Sequence, residues 1–362
     1  MIYLDNSATT FRKPKMVLKA MNRYMKHSGG NPGRGSHFLA MRAADALFEA
    51  RLEIARLLSV FPERIALMPS ATFALNTVIK GVLQAGDHVI LTPYEHNAVV
   101  RPVHREFDYS VCDGAQNAEN AITEKTKMLI VNHASNVNGK IQSLQPYIDL
   151  AHKANLLLLV DASQSLGHIP FSAGGIDFVV CSGHKGLFGP QGTAFLYVRR
   201  GRKIAPLITG GTGILSESFG QPDIFPEVLE SGTQNGVGFA GLAAGVRFVN
   251  ECDTDPCMDL NILLKRGLSA IPKVTLYSPV TEKTAPCVSF NIKNADCVTV
   301  SEYLSDRYGI CVRSGLHCAP LAHKTIGTLH CGTVRASLSR FNNRSEIEKF
   351  LNIVDITPHF GV

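Results

Sequence analysis

No run of apolar residues in this 362-residue chain is long enough to cross a bilayer, so no membrane-spanning helix and no membrane partner are expected. The chain opens on Ile2-Tyr3-Leu4-Asp5-Asn6, without the basic segment and apolar stretch of a secretory leader, and the expectation is a cytoplasmic protein. Blocks of like charge are missing. Lys and Arg are scattered and the formal net charge is only +6, which argues against a nucleic-acid partner and leaves room for small anionic ligands. None of the nine cysteines stands in a C-x-x-C pair. Their odd number, and the place of Cys181, Cys287 and Cys311 inside apolar strand-like runs, favour free thiols in a reducing compartment. Internal repeats and low-complexity tracts are absent too.

What is present is an alternation. From about residue 65 to 200, apolar runs of strand length alternate with helical stretches: Ile65–Met68, Asp87–Leu91, Lys127–Val131, Leu156–Val160, Phe178–Cys181 and Ala194–Val198, with helices from near Thr72, near His96 and over 145–154. Near-continuous apolar strands predict a sheet buried on both faces, hence an α/β fold with many parallel strands. Ligands of such folds gather beyond the carboxyl ends of the strands. Residues 201–236 are rich in Gly, Pro and Ser and read as a surface excursion near the active site or a subunit contact. A helix near 238–250 follows. Beyond it, a strand Cys287–Lys293, a helix 297–308, a strand Thr333–Leu338 and a helix from Ser345 predict a smaller α+β unit. The expected division is a large domain over 15–245 and a small one made of 1–14 and 246–362.

The chemistry-bearing residues fall at strand ends. Asp161 closes one apolar strand, with Gln164 three residues on. Lys185 follows another, in Ser182-Gly183-His184-Lys185-Gly186. An acid and an amine at the ends of neighbouring strands suit pyridoxal phosphate (PLP). The amine condenses with the cofactor aldehyde, and the carboxylate keeps the pyridine nitrogen protonated so that the ring accepts electrons. Alone, the tetrapeptide fits a lysine in a Gly-rich surface loop equally well, and Asp161 alone reads as a helix cap. Their combination decides for the cofactor. Ser70-Ala71-Thr72 opens an apolar-periodic helix whose N-terminus suits a phosphate, or is a plain Ser/Thr cap. His96 is placed to stack on a pyridine face, or is an ordinary loop histidine. Asn136 is a strand-end amide that reaches a cofactor hydroxyl and a substrate carboxylate, or belongs to the turn at Asn138-Gly139. In Arg313-Ser314-Gly315-Leu316-His317-Cys318-Ala319-Pro320 a thiol follows an imidazole and an arginine, a setting that favours the thiolate. His317, Cys318, His323, His330 and Cys331 crowd together, but the tight paired spacing of zinc ligands is missing, and no metal is expected. Arg335, alternating with apolar residues on its strand, offers a guanidinium fork for a carboxylate.

Together these motifs resemble the class V aminotransferases of fold type I, within them the cysteine desulfurase and selenocysteine lyase branch. The resemblance runs over nearly the whole chain, from Tyr3-Leu4-Asp5-Asn6 and Asn31-Pro32-Gly33-Arg34-Gly35-Ser36-His37 to Glu230-Ser231-Gly232-Thr233 and Arg335-Ala336-Ser337. The Arg-x-Gly-x-His-Cys-Ala loop resembles the group II enzymes. The resemblance implies a mostly parallel seven-stranded sheet and a homodimer with shared active sites. It implies PLP bonded to Lys185, stacked under His96, paired with Asp161 and held at its hydroxyl by Gln164. Thr72, Ser182 and His184 take the phosphate, with Ala71 contributing backbone only and Thr233 coming from the other subunit. Arg335 and Asn136 hold the substrate carboxylate, Arg34 and Arg313 line the site, and Cys318 receives the sulfur for a sulfur-acceptor protein. The implied reaction is L-cysteine desulfuration; selenocysteine lysis or another class V reaction stays open, as does a non-catalytic scaffold binding a sulfur carrier. Cys331 reads as an ordinary thiol, with a persulfide relay as the rarer alternative.

Overall fold

The computed structural model describes residues 1–33, 35–252 and 255–357. Its centre is a seven-stranded sheet in the order Ile65–Met68, Ala194–Val198, Phe178–Ser182, Leu157–Asp161, Thr126–Asn132, His88–Leu91, Asp108–Val111. Ala194–Val198 runs antiparallel to both its neighbours; the remaining pairings are parallel. Nearly every residue of the central strands is buried, because helices cover both faces. One face carries Phe38–Leu58, Gln145–Lys153 and Gly236–Asn250 through Ile54, Leu150 and Leu242. The other carries Ala71–Val82 and Asn97–Glu106 through Leu75, Val78, Val99 and Val103. Residues 201–235 form no strand or α-helix, only a 3-10 turn at Glu227–Leu229, and Gly236 opens the next helix.

A second core surrounds a four-stranded antiparallel sheet in the order Arg313–Gly315, Thr333–Ser337, Cys287–Ile292, Val274–Leu276. Helices Cys257–Ala270, Cys297–Tyr308 and Arg344–Ile356 close it, and Ile2 and Leu4 from the N-terminus belong to it. Ile2–Tyr3 pairs in parallel with Ile310–Cys311. The chain then crosses back to the large sheet. Thr10 Oγ1 donates to the carbonyls of His184 and Lys185 at 3.0 and 3.1 Å, and Lys13 Nζ donates to His184 O at 3.0 Å.

Two helices lie outside the alternating pattern. Lys15–His27 and Phe38–Leu58 pack against Gly236–Asn250 but leave Leu18, Met25, Phe38, Met41 and Phe48 exposed. A groove of about 860 Å³ runs between these helices, lined among others by Arg23, Tyr24, Arg42 and Arg247.

Candidate active site

The carboxyl ends of the sheet strands and the edge of the four-stranded sheet meet at a cavity of about 220 Å³. Lys185 stands on its floor. The turn carrying it admits no side chain at Gly186, where a Cβ would lie 2.3 Å from Leu166 O. Burial lowers the Lys185 amine below its ordinary range; Asp161 opposes this, and Arg335 and Arg313 reinforce it. The neutral, nucleophilic amine is thereby favoured.

Asp161 is 5% exposed and directly opposite Asn132 on the neighbouring strand. No helix follows it. Its Oδ1 accepts from Ser163 N at 2.9 Å, while Ser163 Oγ accepts from Ser182 N at 3.2 Å. Ser163, unremarked in the sequence, thus ties the acid-bearing strand end to the lysine-bearing one. Gln164 Nε2 donates to Ser7 O at 3.0 Å.

His96 caps the helix Asn97–Glu106, and its Nδ1 accepts from Ala98 N at 3.0 Å. Burial first, then Lys185, Arg313 and Arg101 push its pKa down to about 4 against Asp161, so the ring is neutral with its proton on Nε2. At the phosphate end, Ser70 caps Ala71–Val82 by accepting from Phe73 N at 3.1 Å. The N–H groups of Ala71 and Thr72 open that helix and have no intrahelical acceptor. Ala71, Thr72, Ser182 and His184 all line the cavity. His184 Nδ1 lies 2.9 Å from Thr9 Oγ1, and burial, Lys185 and Lys13 lower its pKa to about 4.

Arg335 is 1% exposed and is no surface ion pair. Its Nη2 meets Asp5 Oδ1 at 2.7 Å, its Nη1 donates to Asn136 O at 3.0 Å, and its buried Nε has no partner. Arg313 sits across the strand pair from it and also lines the cavity. Asn136 spends its Nδ2 on His317 O at 2.7 Å, leaving Oδ1 buried without a donor. Asn97 N donates to Cys318 O at 2.7 Å, so two successive carbonyls of the cysteine loop are held by the large sheet's side of the cavity. Both His317 and Cys318 are left-handed, with φ of 49° and 58°. Cys318 is exposed and lines the cavity mouth.

Not every candidate converges. Thr233 is exposed and does not line this cavity. Arg34 lies outside the described residues. Cys331 is exposed, unpaired and away from the cavity, with its Sγ toward Thr328 O at 3.8 Å. Among the described residues the histidines and cysteines of 317–331 form no metal cluster. Three potential ligands do meet at His168, Asp255 and Cys257, but Asp255 is engaged by His168 at 2.7 Å with Arg340 at 3.7 Å. Lys13, Thr10 and Asp5 are supporting residues that sequence reasoning did not assign. Asp5 lay within a quoted motif, whereas Lys13 carried no signal.

A cavity floored by a lysine of lowered basicity and a buried carboxylate, with a helix N-terminus at one end and two guanidinium groups at the other, matches the donor set PLP requires. The orphaned Arg335 Nε and the open helix start supply anion partners at opposite ends. This fold and site define a PLP-dependent enzyme of the aminotransferase type. The family model for aminotransferase class V matches residues 2–350, and the chain belongs to that family, whose cofactor is PLP. A probable cysteine desulfurase of Methanothermobacter thermautotrophicus is 34% identical, the match covering 96% of this chain and 92% of that one. A cysteine desulfurase of Salmonella agona is 29% identical, over 96% and 91% of the two chains. Among solved structures, the apo cysteine desulfurase of Thermococcus onnurineus NA1 superposes with a TM-score of 0.90 at 31% identity, covering 98% of this chain and 94% of that one. The cysteine desulfurase CsdA of Escherichia coli gives 0.85 at 26% identity, covering 98% and 93%.

Proposed function

We propose that this chain is a PLP-dependent L-cysteine desulfurase that releases alanine and leaves a persulfide on Cys318. The observation that carries the reading is the cysteine at the mouth of the cavity that holds Lys185, its loop fastened through the carbonyls of His317 and Cys318. PLP, when bound, supplies the electron sink that lets the substrate Cα proton leave. Lys185, whose amine burial makes less basic, would bond the cofactor and then carry that proton. His96 would stack on the cofactor ring, Asp161 would pair with its nitrogen and Gln164 with its hydroxyl, and Thr72, Ser182, His184 and the Ala71 backbone would hold its phosphate. The Cys318 thiolate attacks the substrate sulfur: the new S–S bond forms as Cβ–S breaks, and the electron pair stays with the carbon skeleton, which is protonated and leaves as alanine. Sulfide and alanine measured together, with cysteine as substrate, test the reading; turnover of selenocysteine alone would shift it to a lyase.

Arg335 is the proposed carboxylate anchor, with Asn136 and Arg313 beside it; a substrate-binding role for Arg34 is carried only by the motif that contains it. The buried Nε without a partner is the support. A charge-assisted bond contributes about 1.5–3 kcal/mol, so Arg335→Ala is expected to raise KM roughly 10- to 100-fold in steady-state assays. An unchanged KM with a reduced kcat would remove Arg335 from this role.

Thr233 is assigned to the phosphate of a second copy, giving a homodimer with shared sites. Its exposure away from its own cavity supports this, as does the apolar face of Leu18, Met25, Phe38 and Met41. Full activity of a monomer in sedimentation would refute it. The two separate cores support the division into 15–245 and 1–14 with 246–362. The exposed Cys318 suits hand-over to a sulfur-acceptor protein, and nine unpaired cysteines suit the reducing cytoplasm. No helix among the described residues is long and apolar enough to cross a membrane.

A further inference from the structure

Glu95 precedes His96 at the end of the turn after strand His88–Leu91, and it is 0% exposed. Its Oε1 accepts two short hydrogen bonds, from Thr92 Oγ1 at 2.6 Å and from Asn132 N at 2.6 Å. Its Oε2 is equally buried and has no partner. An ionised carboxylate is acceptor-only and needs donors at both oxygens when water is excluded. The residue bonded to Oε1 has the same deficit: Asn132 Oδ1 is buried and without a donor. A proton on the Glu95 carboxyl removes the need for a donor at one of these two orphaned acceptors. Asn132 in turn lines the cofactor cavity and is the cross-strand partner of Asp161. Asp161 already has a backbone donor in Ser163 N. The nearby charge of Asp161 disfavours a second ionised carboxylate at Glu95.

We propose that Glu95 is a neutral carboxylic acid in the folded protein, a positioning residue bonded to the Asn132 backbone whose neutrality keeps a second negative charge away from Asp161. The proposal rests on the reading of Asp161 as the partner of the cofactor nitrogen. Burial pushes the Glu95 carboxyl up to about 8; the hydrogen bond from Thr92 opposes this and the charge of Asp161 adds to it. The titratable groups facing it are Asp161 on strand Leu157–Asp161 and Tyr147 on helix Gln145–Lys153, with His96 next in the chain. Burial raises the Tyr147 phenol to about 12, so it stays neutral where Glu95 would titrate.

The sign of the pH dependence follows. The unfolded chain gives up the Glu95 proton in the ordinary carboxyl range, whereas the folded one keeps it to about 8. Stability therefore falls as pH rises through that window and levels off above it. Glu95→Gln keeps an acceptor oxygen and places an amide donor where the acid hydroxyl stood, without any charge. Denaturant unfolding of the full-length holoenzyme is expected to show the wild type losing stability relative to E95Q between about pH 5 and about pH 8. Parallel curves overturn the proposal. Infrared difference spectra of protein carrying 13C-labelled glutamate, wild type minus E95Q at neutral pH, are expected to show an acid carbonyl band; a carboxylate band alone overturns it. Should E95Q not fold, titration of the labelled wild type decides: the acid band persists to about pH 8, or is already lost near the ordinary carboxyl range and the proposal fails. Neither readout needs substrate, so their failure is distinct from failure of the desulfurase assignment.

Discussion

Lys185→Ala is expected to abolish covalent cofactor attachment and to reduce alanine release by roughly 10³-fold or more, since one residue supplies both a nucleophile and a proton carrier. The fold should survive. The Lys185 turn is held by main-chain carbonyls, which accept from Thr10 and Lys13, and by the Gly186 contact with Leu166, none of which uses the Lys185 side chain. Loss of the bound cofactor's absorbance together with an unfolding midpoint equal to that of the cofactor-free wild type would bear this out. A variant retaining even a tenth of wild-type turnover would remove Lys185 from its role.

Cys318→Ala is the complementary case. The cofactor end of the cavity is untouched, so PLP binding and the spectral response to cysteine are expected to persist. Sulfide release should fall roughly 10²-fold or more, the scale of losing a positioned reacting group. Selenium leaves more readily than sulfur, so residual turnover of selenocysteine with lost turnover of cysteine is the expected pattern; full cysteine turnover would end the assignment. The backbone adds a stability readout. Cys318 sits at φ 58°, a conformation that costs residues with a Cβ about 1–2 kcal/mol. Alanine keeps that cost and should unfold like the wild type, whereas Cys318→Gly should gain about 1 kcal/mol in denaturant titration.

Much of this was legible in the chain because apolar strands buried on both faces leave an unbroken signature. Leu156–Val160 and Phe178–Cys181 could only be central strands, and the acid and lysine at their ends followed. Helices Lys15–His27 and Phe38–Leu58 lie outside the strand alternation that carried the reading, and in the second, Phe38, Met41 and Phe48 stay exposed, which blurs its apolar stripe. The edge strand Asp108–Val111 is half-exposed and reads as loop. In the site, residue types pointed to Lys185, Asp161 and Cys318, but pairings did not emerge. Nothing in the spacing told that Arg335 is met by Asp5, or that Asn136 directs its amide at the cysteine loop rather than into the cavity, because both contacts join segments far apart in sequence.

The first thirteen residues reach both cores, and this bears on when the enzyme can assemble during synthesis. Asn6 Nδ2 donates to Ser337 O across 331 positions of chain, and Thr10 binds the carbonyl of His184 across 174. This N-terminal segment thus meets its partner at Ser337 only after 331 further positions of chain have been made. Contacts so distant in sequence form slowly, and until they form the leading residues have no sheet to join. Strand Ile2–Tyr3 has no partner until Ile310–Cys311 has been made, so the second core, to which Ile2 and Leu4 belong, closes only late in synthesis.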